Sequence, residues 1–234
     1  MRKLLLGSIA GLMVAGVAQA ADMPLKAAPY AQRGFCTYGA PGQFPVNWTG
    51  SDFGVQGGGG WGHQERVITD GGFTNKYDAR GGLFGVHWGY NCDLGHLVIG
   101  VMGDANRAWI KGDDNGVGGT VDQTTTRWLT SGNVRAGFTL GGARQWLLYG
   151  TAGVSYANFN HNNPSGAPIN NSVSQPGWNV GAGLEWAPAS FPGLSWAIEY
   201  RHYDFERYNL APGGLAQFSV KPTVDTVTLR LSFH

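Results

Sequence analysis

The chain has 234 residues, of which 39 are glycine, nine are tryptophan and 13% are charged. That composition is too aromatic and too sparsely charged for a disordered chain, and the length suits one domain. The formal charge is +1, and removal of Arg2 and Lys3 with a leader would turn it to −1, which is no footprint of a nucleic-acid binder.

Met1-Arg2-Lys3, the apolar stretch Leu4 to Val17 and Ala18-Gln19-Ala20 form the three parts of a secretory signal peptide. Residues 1–20 are therefore expected to be removed after export. No later stretch is long and apolar enough for a membrane-spanning helix. Residues 21–47 show no period and contain Pro24, Pro29, Pro41 and Pro45, so they read as an extended periplasmic arm. Residues 48–234 form the remaining domain.

Eight segments of alternating polarity follow, the mark of strands with two unlike faces. The first sets Phe53, Val55 and Trp61 against Asp52, Gln56 and a run of glycines. The second sets Phe84, Val86, Trp88 and Tyr90 against His87 and two glycines. The third sets Leu97, Ile99 and Val101 against Gly100, Met102 and Asp104. The fourth sets Trp128, Val134, Ala136, Phe138 and Leu140 against Ser131, Asn133, Arg135 and Thr139. The fifth, Trp146 to Phe159, is ambiguous, because Leu147 and Tyr149 break the alternation. The sixth carries Trp178, Val180, Leu184 and Trp186 against Asn179 and Glu185. The seventh carries Leu194, Trp196, Ile198 and Tyr200 against Glu199 and Arg201. The eighth carries Val227, Leu229, Leu231 and Phe233 against Thr226, Thr228 and Arg230.

The connections alternate. Residues 92–95, 141–145 and 187–193 are short; 63–78, 110–126, 160–174 and 206–222 are long, polar and rich in Gly, Asn and Pro. Short periplasmic turns and long external loops are the habit of outer-membrane barrels. The expected fold is all-β, an eight-stranded antiparallel up-and-down transmembrane barrel. Alternation alone does not say which face points in. Export, glycine- and alanine-rich apolar faces and tryptophans at strand ends favour apolar-outward in lipid. Trp61, Trp109, Trp128 and Trp178 then form an external belt, and Trp48, Trp88, Trp146, Trp186 and Trp196 a periplasmic one.

Seven charges fall on the inward face: Asp52, Asp104, Arg135, Glu185, Glu199, Arg201 and Arg230. An eight-stranded barrel is barely wider than its own side chains, so these charges are expected to pair. The network is either a locked polar core or a gate whose pairs exchange to pass small ions. Cys36 and Cys92 lie on the same side of the membrane. They either form a bridge pinning the arm to the barrel mouth or remain separate thiols, since sequence gives no distance. Neither makes a zinc site without histidine ligands.

Gly57 to Gly60 lies inside a strand with no helix after it, so it is no phosphate loop. Asp113-Asp114-Asn115-Gly116 lacks the closing glutamate of a calcium loop. His202 beside Asp204 has no serine nucleophile next to it, so no catalytic site is assigned. No cofactor is implied; haem ligation through His63 or His161 is an alternative.

Ala21-Asp22-Met23-Pro24, Asn47-Trp48-Thr49-Gly50, residues 177–186 (GWNVGAGLEW) and 195–205 (SWAIEYRHYDF) together resemble the alphaproteobacterial small outer-membrane barrel family of 25–31 kDa surface antigens and "porin family" relatives. The resemblance covers roughly Asn47 to Phe233. It implies an OmpA-like barrel, surface exposure, contact with lipopolysaccharide, a role in envelope integrity or host interaction, and insertion by the barrel-assembly machinery. Haem binding and narrow-porin activity occur in the same family. The chain departs from the family in a longer arm around Cys36 and in His234 following the terminal aromatic. Arg80 and Arg107, near the external ends of neighbouring strands, are either lipopolysaccharide contacts or solvated rim charges balanced by Asp78 and Asp104.

Overall fold

The computed structural model describes Cys36 and residues 46–68, 74–113, 123–162, 170–210 and 218–234. The expected signal peptide and most of the expected arm lie outside these residues. The strands are β1 (Gly50–Ile68), β2 (Thr74–Asp93), β3 (Leu97–Asp113), β4 (Gln123–Leu140), β5 (Trp146–Asn162), β6 (Asn170–Trp186), β7 (Leu194–Phe205), β8 (Tyr208–Leu210) and β9 (Phe218–Phe233). β1 to β7 pair antiparallel in chain order, β7 and β8 both pair with β9, and β9 returns to β1 from Phe53↔Phe233 to Ile68↔Phe218. The sheet therefore closes at the membrane level and leaves no open edge there. The wall is eight strands thick in circumference. β8 continues the line of β7 along the same edge of β9, at Tyr208↔Val220, after a break at Glu206–Arg207.

Strands of up to 20 residues far exceed the roughly 10 that a tilted strand needs to cross a bilayer. The excess lies at the external end. The expected long loops are mostly not loops: β1 and β2 remain paired out to Val67↔Thr74, β3 and β4 to Asp113↔Gln123, and β5 and β6 to Asn162↔Asn170. The polar residues there had the composition of loops, yet they alternate too, with the faces exchanged. In the membrane-level part, Phe53, Phe84, Val86, Val134, Phe138, Val154 and Leu229 are exposed on the outer wall. Toward the external end the outer face turns polar, with exposed His63, Lys76, Asp78, Arg80 and Lys111. The inner face there turns apolar, with buried Leu83, Ile110, Leu129, Phe159, Phe205 and Val220 in one cluster. The polarity pattern thus follows the surrounding solvent, lipid below and water above.

The fifth strand is regular. Leu147 and Tyr149 are its inward residues and are fully buried, while Trp146, Leu148, Val154 and Tyr156 face out. Alternation seemed broken only because both faces are apolar near the periplasmic end. Tyr149 enters the lumen because its cross-strand partner is Gly183, where an added Cβ would stand 2.5 Å from the phenol ring.

Eight tryptophans lie exposed on the outer wall, in two belts. Trp48 does not. It is 1% exposed and sits inside the periplasmic mouth with Val46, Val98, Leu147 and Tyr149. The segment before β1 folds into the barrel rather than lining its rim.

Candidate functional site: the lumen and the outer rim

Strand alternation brings the inward charges together in the middle of the barrel. Arg135 on β4 pairs with Glu185 on β6, and the Glu185 carboxylate also accepts from Ser195 Oγ at 2.5 Å. The Arg135 guanidinium lies over the Tyr149 ring at 3.8 Å, a cation–π contact between desolvated groups. The Tyr149 hydroxyl donates to Glu199 at 2.8 Å. Glu199 receives Arg201 from its own strand and Arg230 from β9 at 2.9 Å. Arg201 reaches across to Asp104 on β3 at 2.7 Å. Asp104 also accepts from Ser131 at 2.5 Å and Asn106 at 2.7 Å, and Asn106 accepts from Gln56 at 2.7 Å.

Six of the seven anticipated charges form this belt, three carboxylates against three guanidiniums. The balance matters, because a lone buried charge costs several kcal/mol. Asp52 stands apart: it accepts from Asn91 at 2.9 Å and lies 3.9 Å from His87, with no arginine among the described residues bound to it.

Below the belt the periplasmic mouth is crossed by a clasp that the sequence did not suggest. Arg144, in the β4–β5 turn, donates to both oxygens of Asp93 at 2.6 and 2.8 Å and to the carbonyl of Gly95 in the β2–β3 turn. Its backbone is held at φ 56°, an uncommon left-handed conformation for a side chain of this size. The Trp48 indole donates to the Arg144 carbonyl at 2.9 Å. The His234 ring stands edge-on to Trp48 and bonds Ser195 at 2.8 Å. Phe233 meanwhile faces outward, 5.8 Å from Phe53, so the terminal aromatic keeps its lipid-facing place despite the residue after it.

Above the belt lies the apolar cluster, with Phe159 edge-on to Phe205 at 5.4 Å. A hydrogen-bonded chain tops it: Gln64–Tyr77 at 2.5 Å, Tyr77–Thr124 at 2.8 Å, Thr124–His161 at 3.0 Å and His161–Tyr208 at 2.6 Å. His161 is therefore committed to this cap inside the barrel.

Cys36 and Cys92 are joined, with Cα atoms 4.6 Å apart. Cys92 continues the outward row of β2 after Tyr90, so the bridge lies on the outer wall at the periplasmic end, while Trp48 turns into the mouth. Cys36 also accepts, through its carbonyl, from the Thr49 hydroxyl.

On the external outer wall, Arg80 and Arg107 occupy neighbouring strands, with Arg80 opposite Trp61 and Lys111, and Arg107 over the Trp128 ring at 5.0 Å. The acids expected to balance them are engaged elsewhere: Asp78 binds His63 Nδ1 at 2.7 Å, and Asp104 is inside the barrel. His202 does not use Asp204. It bonds Asp225 at 2.8 Å, which also accepts from Tyr200 at 2.6 Å, while Asp204 pairs with Lys221 at 3.0 Å. Among the described residues, no group of three or more potential metal ligands converges.

The closed sheet with an apolar outer belt and a polar inside matches one family of proteins. The model of the outer membrane protein beta-barrel domain fits residues 9–234. The chain belongs to this family. It is an outer-membrane protein, similar to surface antigens: the 25 kDa outer-membrane immunogenic protein of Brucella canis is 27% identical over 185 residues, covering 79% of this chain and 77% of that protein. The protein of the same description from Brucella suis biovar 1 (strain 1330) matches to the same extent. The crystal structure of the outer membrane protein OprG from Pseudomonas aeruginosa superposes with a TM-score of 0.51 at 12% identity, covering 82% of this chain and all of that one, a likeness of fold. In this barrel, then, the lumen and the rim are where function must be sought.

Proposed function

We propose that this barrel is a non-conducting structural protein of the outer membrane, contributing to envelope integrity and presenting its external hairpins for surface interactions. The observation that carries this reading is the stacking of side-chain contacts across the lumen at four successive levels. They are the Trp48–Arg144–Asp93 clasp, the ion-pair belt, the apolar cluster around Phe159 and the cap through His161. Each level spans strands on opposite sides of a barrel whose diameter leaves little free lumen. A water path would require all four to open.

Arg80 and Arg107 support contact with lipopolysaccharide, since they stand at the aromatic belt with no acid among the described residues bound to either and guanidiniums bind phosphate strongly. The barrel-assembly machinery and a host or surface ligand at the hairpins are the further partners of this reading. We read the protein as non-enzymatic. His202 is held by Asp225, and Ser195 is fully buried between Glu185 and His234.

Single-channel recording of the refolded protein in planar bilayers tests the sealed lumen. Barrels that show a heat-modifiable gel shift are expected to be silent. Reproducible conductance altered by Glu199→Gln or Arg201→Ala would make the protein a narrow porin instead.

A further inference from the structure

The outer wall of β1 and β2 carries two separate depressions, the upper one at the external membrane boundary. The upper part, about 440 Å³, is bounded by Trp61, His63, Asp78 and Arg80 and floored by Gly59 and its neighbours. Gly59 faces out and has nothing nearer than 3.8 Å to where a Cβ would stand. Gly82, its partner on β2, is covered by the Trp109 ring. The next outward residue down β1, Gly57, lines the second depression, about 370 Å³, which includes Val55, Phe84, Ile198 and Leu229 and extends to Trp146, Trp186 and Trp196 of the periplasmic belt.

The chemistry of the two parts differs. The upper part holds Arg80, with Lys111 directly opposite it on β3, close enough in an antiparallel pair for both to reach one anion. His63 is oriented by Asp78 through Nδ1, so Nε2 is the nitrogen left for a ligand. A phosphate monoester suits this set, because its second ionisation lies near neutrality. It can accept from guanidinium and ammonium while donating to, or accepting from, an imidazole nitrogen. Trp61 sets the depth, since amphipathic rings lie at the headgroup level. The outward side chains of the lower part, Val55, Phe84, Ile198 and Leu229, are apolar and face the hydrocarbon.

We propose that the upper depression binds a phosphorylated glycolipid of the outer leaflet, its phosphate between Arg80, Lys111 and His63 and an acyl chain passing down the outer wall over Gly57 and Val55. The site rests on the lipopolysaccharide contact proposed above and sharpens it: one built pocket, with Arg107 outside it.

Native mass spectrometry of the refolded full chain in detergent tests the site with three probes: lipid A carrying phosphate monoesters, the same lipid after dephosphorylation, and inorganic phosphate. The native barrel retains the phosphorylated lipid in preference to the other two. Gly59→Leu fills the pocket without removing a charge and has room for its Cβ; it weakens retention by about tenfold, as do Arg80→Gln and His63→Gln, in line with loss of a charge-assisted contact. If Arg107→Gln weakens retention while Gly59→Leu and His63→Gln do not, the rim contact stands and the pocket is refuted. Should dephosphorylated lipid bind equally well, or no variant matter, both readings fall. Inorganic phosphate displacing the lipid at equal concentration would identify an anion site with no role for the acyl groove.

Discussion

Arg135 and Glu185 show how the interior charges support one another. Both side chains are almost fully buried, and each has further partners, the Tyr149 ring for one and Ser195 for the other. Removing one member leaves the other charge buried and unpaired. Arg135→Ala is therefore expected to lower unfolding stability by about 3–5 kcal/mol, whereas the double replacement Arg135→Met with Glu185→Leu should recover most of it. Urea unfolding in lipid vesicles, followed by tryptophan fluorescence, measures both; equal losses for the single and double variants would mean that the pair itself stabilises the barrel. The six members of the belt were legible from the sequence because each sits at an alternating position inside an apolar-polar run. Asp93, Arg144 and Trp48 were not. Their partnership depends on how two turns and the entry segment fold under the mouth, which no period encodes. The cap histidine His161 and the His202–Asp225 pair were missed for a related reason: cross-strand partners are set by register, while sequence shows only neighbours along the chain.

At the scale of the strands, the alternation fixed eight elements, and only their external ends were misjudged. Residues 63–68, 74–78 and 123–126 are polar enough to resemble loops, yet they are paired strand. The inner side chains there, Tyr77, Ala79 and Ile110 among them, are apolar or aromatic because water, not lipid, surrounds this part of the wall. The hairpins are consequently held by a core of their own. Phe159, packed against Phe205 and Tyr208, is one of its two fully buried phenylalanines. Phe159→Ala is expected to cost about 3–5 kcal/mol and to open the external hairpins to added protease, while the membrane-level barrel keeps its heat-modifiable gel shift. Loss of that shift together with the hairpins would show that the two halves fold as one unit.

For the whole molecule, the Cys36–Cys92 bridge closes a chain segment with a sequence separation of 56 and includes β1 and most of β2 within it. Confining that length in the unfolded chain is worth about 4 kcal/mol on the chain-entropy estimate. Replacing both cysteines by serine should lower the urea midpoint by a corresponding amount without changing the folded barrel, since the bridge lies outside its wall. A barrel that no longer assembles would instead place the bridge among the requirements for folding. The exchange of faces along each strand has a practical consequence for immunology. A linear peptide copied from residues 76–84 would display Tyr77, Ala79 and Leu83 as freely as Lys76, Asp78 and Arg80, although the first three are buried in the native barrel. Antisera raised against such a peptide should stain the denatured protein on a blot and pass over intact cells. Antibodies that bind living bacteria will instead read alternate residues gathered from several adjacent strands.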